Sequence, residues 1–188
     1  MITDKKDHKV LKILIRSPMM IEIRLLFGKP VIRERADLIS ALKDLQFRHG
    51  CVVQALDADK IVSERHISFA TEKALTAIRE KRNIARDTGM EIMRYASGER
   101  QIERALAMGV SCFTERIALI LATYDRECCW PDFSELSQIV EVDGRGCSFK
   151  SEAVKETFNI SPEEIDVVGE DRIDELVIER VALVDTYR

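Results

Sequence analysis

The chain has no run near the ~18 uninterrupted apolar residues that a membrane-crossing helix needs, so no such span is expected. Its five cysteines, Cys51, Cys112, Cys128, Cys129 and Cys147, are odd in number and include no C-x-x-C pair. That excludes a sequence-encoded disulfide framework or zinc knuckle and leaves buried thiols in a reducing compartment as the simplest reading. The adjacent Cys128 and Cys129 have poor geometry for a mutual disulfide, and no base beside them marks a nucleophile. His8, His49 and His66 lie far apart without ligand spacing, which makes surface or capping histidines the expectation. There is no G-x-S-x-G, no phosphate loop ending in Gly-Lys-Ser/Thr, no G-x-G-x-x-G and no H-E-x-x-H, so no catalytic machinery, metal or cofactor is nominated. Internal repeats and low-complexity segments are also missing.

What is present is ordinary globular material: 46% apolar and 33% charged residues over 188 positions, enough for one filled core. The opening MITDKKDHKVLKILIRSPMM sets basic residues before an apolar patch, but Lys12 and Arg16 interrupt it and no small-residue cleavage site follows. A cytoplasmic protein is expected. The net charge of −4 conceals an asymmetry: residues 1–110 carry 21 Lys and Arg against 15 Asp and Glu, residues 111–188 carry 8 against 18. An anionic partner should therefore meet the N-terminal half.

Pattern and punctuation predict alternating elements. A strand over 20–28 ends at Gly28-Lys29-Pro30, a helix spans 33–50, and a buried strand covers 51–62. Ser63 caps a helix reaching about residue 83. The segment 90–97 reads as a strand, 99–108 as a helix with Ile102, Ala105 and Leu106 inward, and 115–124 as a strong strand. Residues 129–150 suggest a short helix and a hairpin-like strand. Ser161-Pro162-Glu163-Glu164 is a capping box opening a helix that Gly169 interrupts, and 171–188 forms an apolar last helix. The expected fold is one mixed α/β domain over 20–188, a mostly antiparallel or mixed sheet covered by helices, with residues 1–19 as an extension.

The segment REKRNIAR (79–86) followed by Arg94, Arg100 and Arg104 concentrates cations in an acidic chain. Solvated helix ends would account for them equally. If a strand ended at Ser97 and a helix began at Gly98 or Glu99, the first amides of that helix would be free for an anion; alternatively, Ser97 simply caps the helix.

The stretch 66–110, with R-N-I-A (82–85), E-I (91–92), Y-A-S-G-E-R-Q-I (95–102) and M-G-V (108–110), resembles the smallest accessory subunit of the KEOPS complex, the family of the kinase-binding protein TPRKB and its archaeal relatives. In this stretch it resembles the archaeal branch more than the eukaryotic one. The likeness is weaker from about residue 20 to 124, returns in DELVIERVALV, and is missing from 1–19 and 128–160. It implies a single mixed α/β domain without chemistry of its own, docked on the small atypical kinase-ATPase of a complex that installs N6-threonylcarbamoyladenosine in tRNA. It implies too a site for the single-stranded CCA end of tRNA. Carried over by position, the motif contributes Arg82, Asn83, Ser97, Gly98, Arg100 and Gln101; Lys81, Arg86, Arg94 and Arg104 join them as nearby cations. Ile173, Leu176, Val177 and Val181 of the last helix are the expected kinase-facing surface, though their spacing equally suits core. No metal or membrane partner is implied.

Overall fold

A computed structural model describes residues 21–124 and 128–186; the 1–19 extension and His8 lie outside them. The centre is a four-stranded antiparallel sheet built from β1 (Glu22–Pro30), β2 (Val52–Asp57), β3 (Ile117–Thr123) and β4 (Val140–Val142) in the order β2-β3-β1-β4. β3 is buried at every position, which is why it reads as an unbroken apolar run rather than an alternating one. Its residues still alternate in direction. Ala118, Ile120 and Ala122 join one cluster with Ile23, Leu25 and Phe27 of β1, while Ile117, Leu119 and Leu121 join a second cluster with Leu26, Val53 and Ala55.

The second cluster is closed by α1 (Arg35–His49), whose Leu38, Leu42 and Leu45 follow helical spacing, and by the short α5 (Phe133–Leu136). The larger first cluster is covered by α2 (Glu64–Arg79), α3 (Thr88–Ala96), α6 (Ser151–Phe158) and α8 (Ile173–Leu183). α4 (Ile102–Ala105) and α7 (Pro162–Val168) complete the layer. Ser63 caps α2 by accepting from the His66 amide, and the Ser161–Glu164 capping box forms as expected.

Several expectations fail for identifiable reasons. β1 does not stop at Gly28: it continues to Pro30, because β4 pairs with residues 28–30. A Cβ on Gly28 would lie 2.1 Å from the Glu141 carbonyl oxygen, so this glycine serves close strand approach rather than a turn. β4 accordingly pairs with β1 and forms no hairpin. β2 is half the expected length, and a 3₁₀ turn follows it. α6, in a region whose pattern offered no assignment, is a helix ended by Asn159 in the left-handed conformation. His66 is fully buried rather than surface-exposed.

The largest correction is residues 90–97. They are the body of α3, not a strand. Asp87 accepts from the Met90 amide at 2.9 Å to start it. Gly98, at φ +68°, ends it: its N–H donates to Tyr95 O at 3.0 Å and the Glu99 N–H to Arg94 O at 3.2 Å, the paired bonds of a Schellman turn. Residues 91–96 are all buried. At nine residues the helix is too short for its spacing to be told from that of a strand.

Candidate functional site

The turn after α2 repeats the device that ends α3. Lys81 occupies the left-handed position at φ +56°, with its N–H donating to Ile78 O and the Arg82 N–H to Ala77 O. The polar groups of the R-N-I-A motif that follows are spent on internal contacts. Arg82 Nη1 lies 2.8 Å from Asp185 Oδ1, and the Tyr95 hydroxyl donates to the same oxygen. Lys73 Nζ stands 3.6 Å from the other carboxylate oxygen. Burial pushes the Asp185 carboxyl up, but the Tyr95 hydrogen bond and the charges of Arg82 and Lys73 outweigh it and leave the group below its usual range. Tyr95, buried and bonded to that carboxylate, is raised to about 12. Asn83 Nδ2 donates to Ala85 O at 2.8 Å. The Ala85 amide donates to Glu91 at 2.8 Å.

Glu91 has no exposed side-chain surface, and Arg94, its partner at 2.6 Å, is 3% exposed. The Arg94 guanidinium also lies 4.4 Å from the Tyr95 ring centroid. Arg94 is therefore closed to any ligand, contrary to its expected place among contact residues. Ser97 is likewise buried: its Oγ donates to Arg94 O and accepts from the Glu99 amide, so it caps the end of α3 rather than the start of another helix. The Gly98 amide is consumed in the Schellman turn, and the free helix amides expected after it do not arise. The next helix, α4, begins only at Ile102, passes into a 3₁₀ turn at Leu106, and exposes Leu106.

Gly98, Arg100, Gln101 and Arg104 nevertheless share one open groove of about 620 Å³. Ile84, 56% exposed, forms part of its wall, and α8 contributes Arg180 and Leu183. Gly98 is needed here as well, since a Cβ would stand 3.1 Å from that of Arg180. Arg100 is exposed and has no ion-pair partner among the described residues. Arg104 is 68% exposed and reaches Glu99 only at 3.9 Å, whereas Arg180 is held 2.8 Å from Glu164. Lys81 and Arg86 are exposed but do not line the groove. Arg180 and Leu183 were absent from the expected set because α8 is brought to the motif only by the fold.

Ile173, Leu176, Val177 and Val181 are between 0% and 8% exposed and pack in the first core cluster. They hold α8 against the body of the protein and cannot be a docking surface.

Among the described residues no three His, Cys, Asp or Glu side chains gather as a metal site, and no helix is long and apolar enough to cross a membrane. Burial raises the thiols of Cys51 and Cys147 to about 12, which keeps both protonated and unreactive near neutral pH. No curated protein matches the chain. The family model of kinase binding protein CGI-121 matches residues 31–185. Since the match takes in every helix and the whole groove, the chain belongs to the kinase binding protein CGI-121 family, the small KEOPS subunit family to which its S-G-E-R-Q-I motif already pointed.

Proposed function

We propose that this protein is a non-catalytic subunit that docks on a kinase-type partner and binds the single-stranded CCA end of tRNA in the groove beside Gly98. In that role it supports N6-threonylcarbamoyladenosine modification without reacting itself. The family supports the kinase partner. The observation carrying the tRNA reading is the convergence of Arg100, Gln101 and Arg104 with the exposed Ile84 on one open groove. A single-stranded tail is held by a few phosphate contacts and by surfaces on which bases rest, without any helix entering a duplex groove. Arg100 and Arg104 supply the first, Gln101 a polar edge, Ile84 and Leu183 the second.

A titration against two tRNAs, one intact and one trimmed of its CCA end, tests this. Intact tRNA binds more tightly, and Arg100→Glu removes the preference without moving the thermal midpoint. With two to four phosphates engaged, log affinity falls against log salt by roughly 0.7 for each. Equal binding of both tRNAs, or binding indifferent to salt, would sink the reading. A second reading, a protein-interaction module that never touches RNA, is favoured by one observation: Arg82, Arg94 and Arg180 are already paired with carboxylates. Kinase capture that persists while tRNA binding is undetectable would establish it.

A further inference from the structure

A second basic groove, of about 500 Å³, opens where β1 ends and β3 begins. It is lined by Lys29 and Arg33, by Arg116 at the start of β3, and by Arg145, Phe149 and Lys150 ahead of α6. Arg116 is its fixed point: 6% of its side chain is exposed, and it donates to both oxygens of Asp143 at 2.8 and 3.1 Å, to Gly146 O at 3.0 Å and to Ser148 O at 3.2 Å. These bonds hold the 143–148 turn against the sheet and use four of the five N–H donors that a guanidinium carries. One donor remains on a side chain that lines the groove.

The charges around it do not balance. Asp143 is taken by Arg116 and Arg145, and is held well below the usual carboxylate range, first by its hydrogen bond from Arg116. Lys150 is taken by Asp59 at 2.7 Å, with Glu115 at 3.6 Å. With Glu141 on β4 included, four carboxylates thus face five cations. Lys29 and Arg33 are exposed and have no ion-pair partner among the described residues, although Glu141 stands opposite Lys29 on β4. A surplus of positive charge, with Lys29 and Arg33 held in no ion pair, beside a spare N–H and the half-buried Phe149 matches a phosphate joined to a flat ring.

We propose that this groove is a binding site for a phosphate monoester of the nucleotide class, separate from the groove beside Gly98. The phosphate is held by Lys29, Arg33 and the remaining Arg116 donor, and the base rests near Phe149. Charge-assisted bonds of this kind are the stronger hydrogen bonds of proteins, and Arg matches phosphate geometry well.

Calorimetric titration of the full chain at low ionic strength with AMP, and with adenosine as the phosphate-free control, decides it. AMP binds and adenosine binds at least tenfold more weakly. Lys29→Gln with Arg33→Gln weakens AMP at least tenfold at an unchanged thermal midpoint, since neither side chain has an ion pair to lose. Arg100→Glu leaves AMP binding intact, which separates this site from the groove proposed for tRNA. The proposal is overturned by absence of AMP binding, by equal binding of adenosine, by an unaffected double variant, or by loss of AMP binding in Arg100→Glu. The first three outcomes leave the tRNA titration above untouched, whereas the last would place AMP in the groove beside Gly98.

Discussion

Replacing Arg94 by alanine is expected to lower the unfolding free energy by about 3–5 kcal/mol, the range for removing one member of a buried ion pair. The reason is the charge left behind. Glu91 has no exposed surface, and among the described residues its carboxylate accepts, besides Arg94, only the amides of Ala85 at 2.8 Å and Ile84 at 3.4 Å. Two amides do not offset the desolvation of a full negative charge. Since domains of this size are stable by roughly 5–15 kcal/mol in all, the variant should be partly unfolded or close to it. The double variant Glu91→Gln with Arg94→Met should recover most of the loss. The amide oxygen of glutamine still accepts from residues 84 and 85, and methionine fills the space without charge. Urea unfolding of the three proteins measures both effects; an Arg94→Ala protein within 1 kcal/mol of wild type would refute the account. The same pair fixes the 82–87 loop that carries Ile84 to the groove. Arg94 variants would therefore lose tRNA binding through collapse of a wall rather than loss of a contact.

How far the sequence could be read depended on whether each signal was local. β3, α1, and the Ser63 and Ser161 caps were legible because periodicity or a cap residue specifies them within a few positions. α3 was not, because a nine-residue apolar segment is too short for helix and strand to be told apart by spacing. Its brackets were present all the same, Asp87 ahead of the helix and Gly98 after it. Taking Gly98 as a helix beginning instead of a helix end reversed the inferred chemistry of the junction: amides expected to face a ligand point back into α3. The motif still located the groove, since Arg100, Gln101 and Arg104 line it. What it could not convey was that R-N-I-A works inward, on Asp185 and Glu91. Asp185 lies 103 residues from Arg82, and no spacing rule reaches that distance. The apolar stripe of α8 was ambiguous between core and interface for a related reason: only its contact with the first cluster decides that it is core.

Acid should destabilise this protein through His66. The imidazole is fully buried on α2, with Nε2 2.8 Å from Ala96 O and Phe158 edge-on at 5.6 Å between ring centroids. The carbonyl can only accept, so the proton sits on Nε2, and among the described residues Nδ1 has no hydrogen-bond partner. Protonation would have to place a second N–H at Nδ1, facing no acceptor in an apolar surround, and burial accordingly lowers the pKa from 6.5 to about 4. The unfolded chain takes up that proton near its ordinary value. Between pH 6.5 and 4 the unfolded state therefore binds more protons than the folded one, and stability declines as pH falls through this window. At roughly 1.4 kcal/mol per unit of difference, the full loss is about 3 kcal/mol, present below pH 4 and absent above 6.5. His66→Gln keeps an N–H for Ala96 O and cannot titrate in this range, so comparison with wild type isolates the contribution of the imidazole. Unfolding free energies measured by urea at pH 7 and pH 4 should fall by about 3 kcal/mol more in wild type than in His66→Gln. Parallel pH profiles for the two proteins would show instead that the folded state admits the imidazolium. Because His66 joins α2 to the last carbonyl of α3, the loosening should appear first where α3 meets the groove.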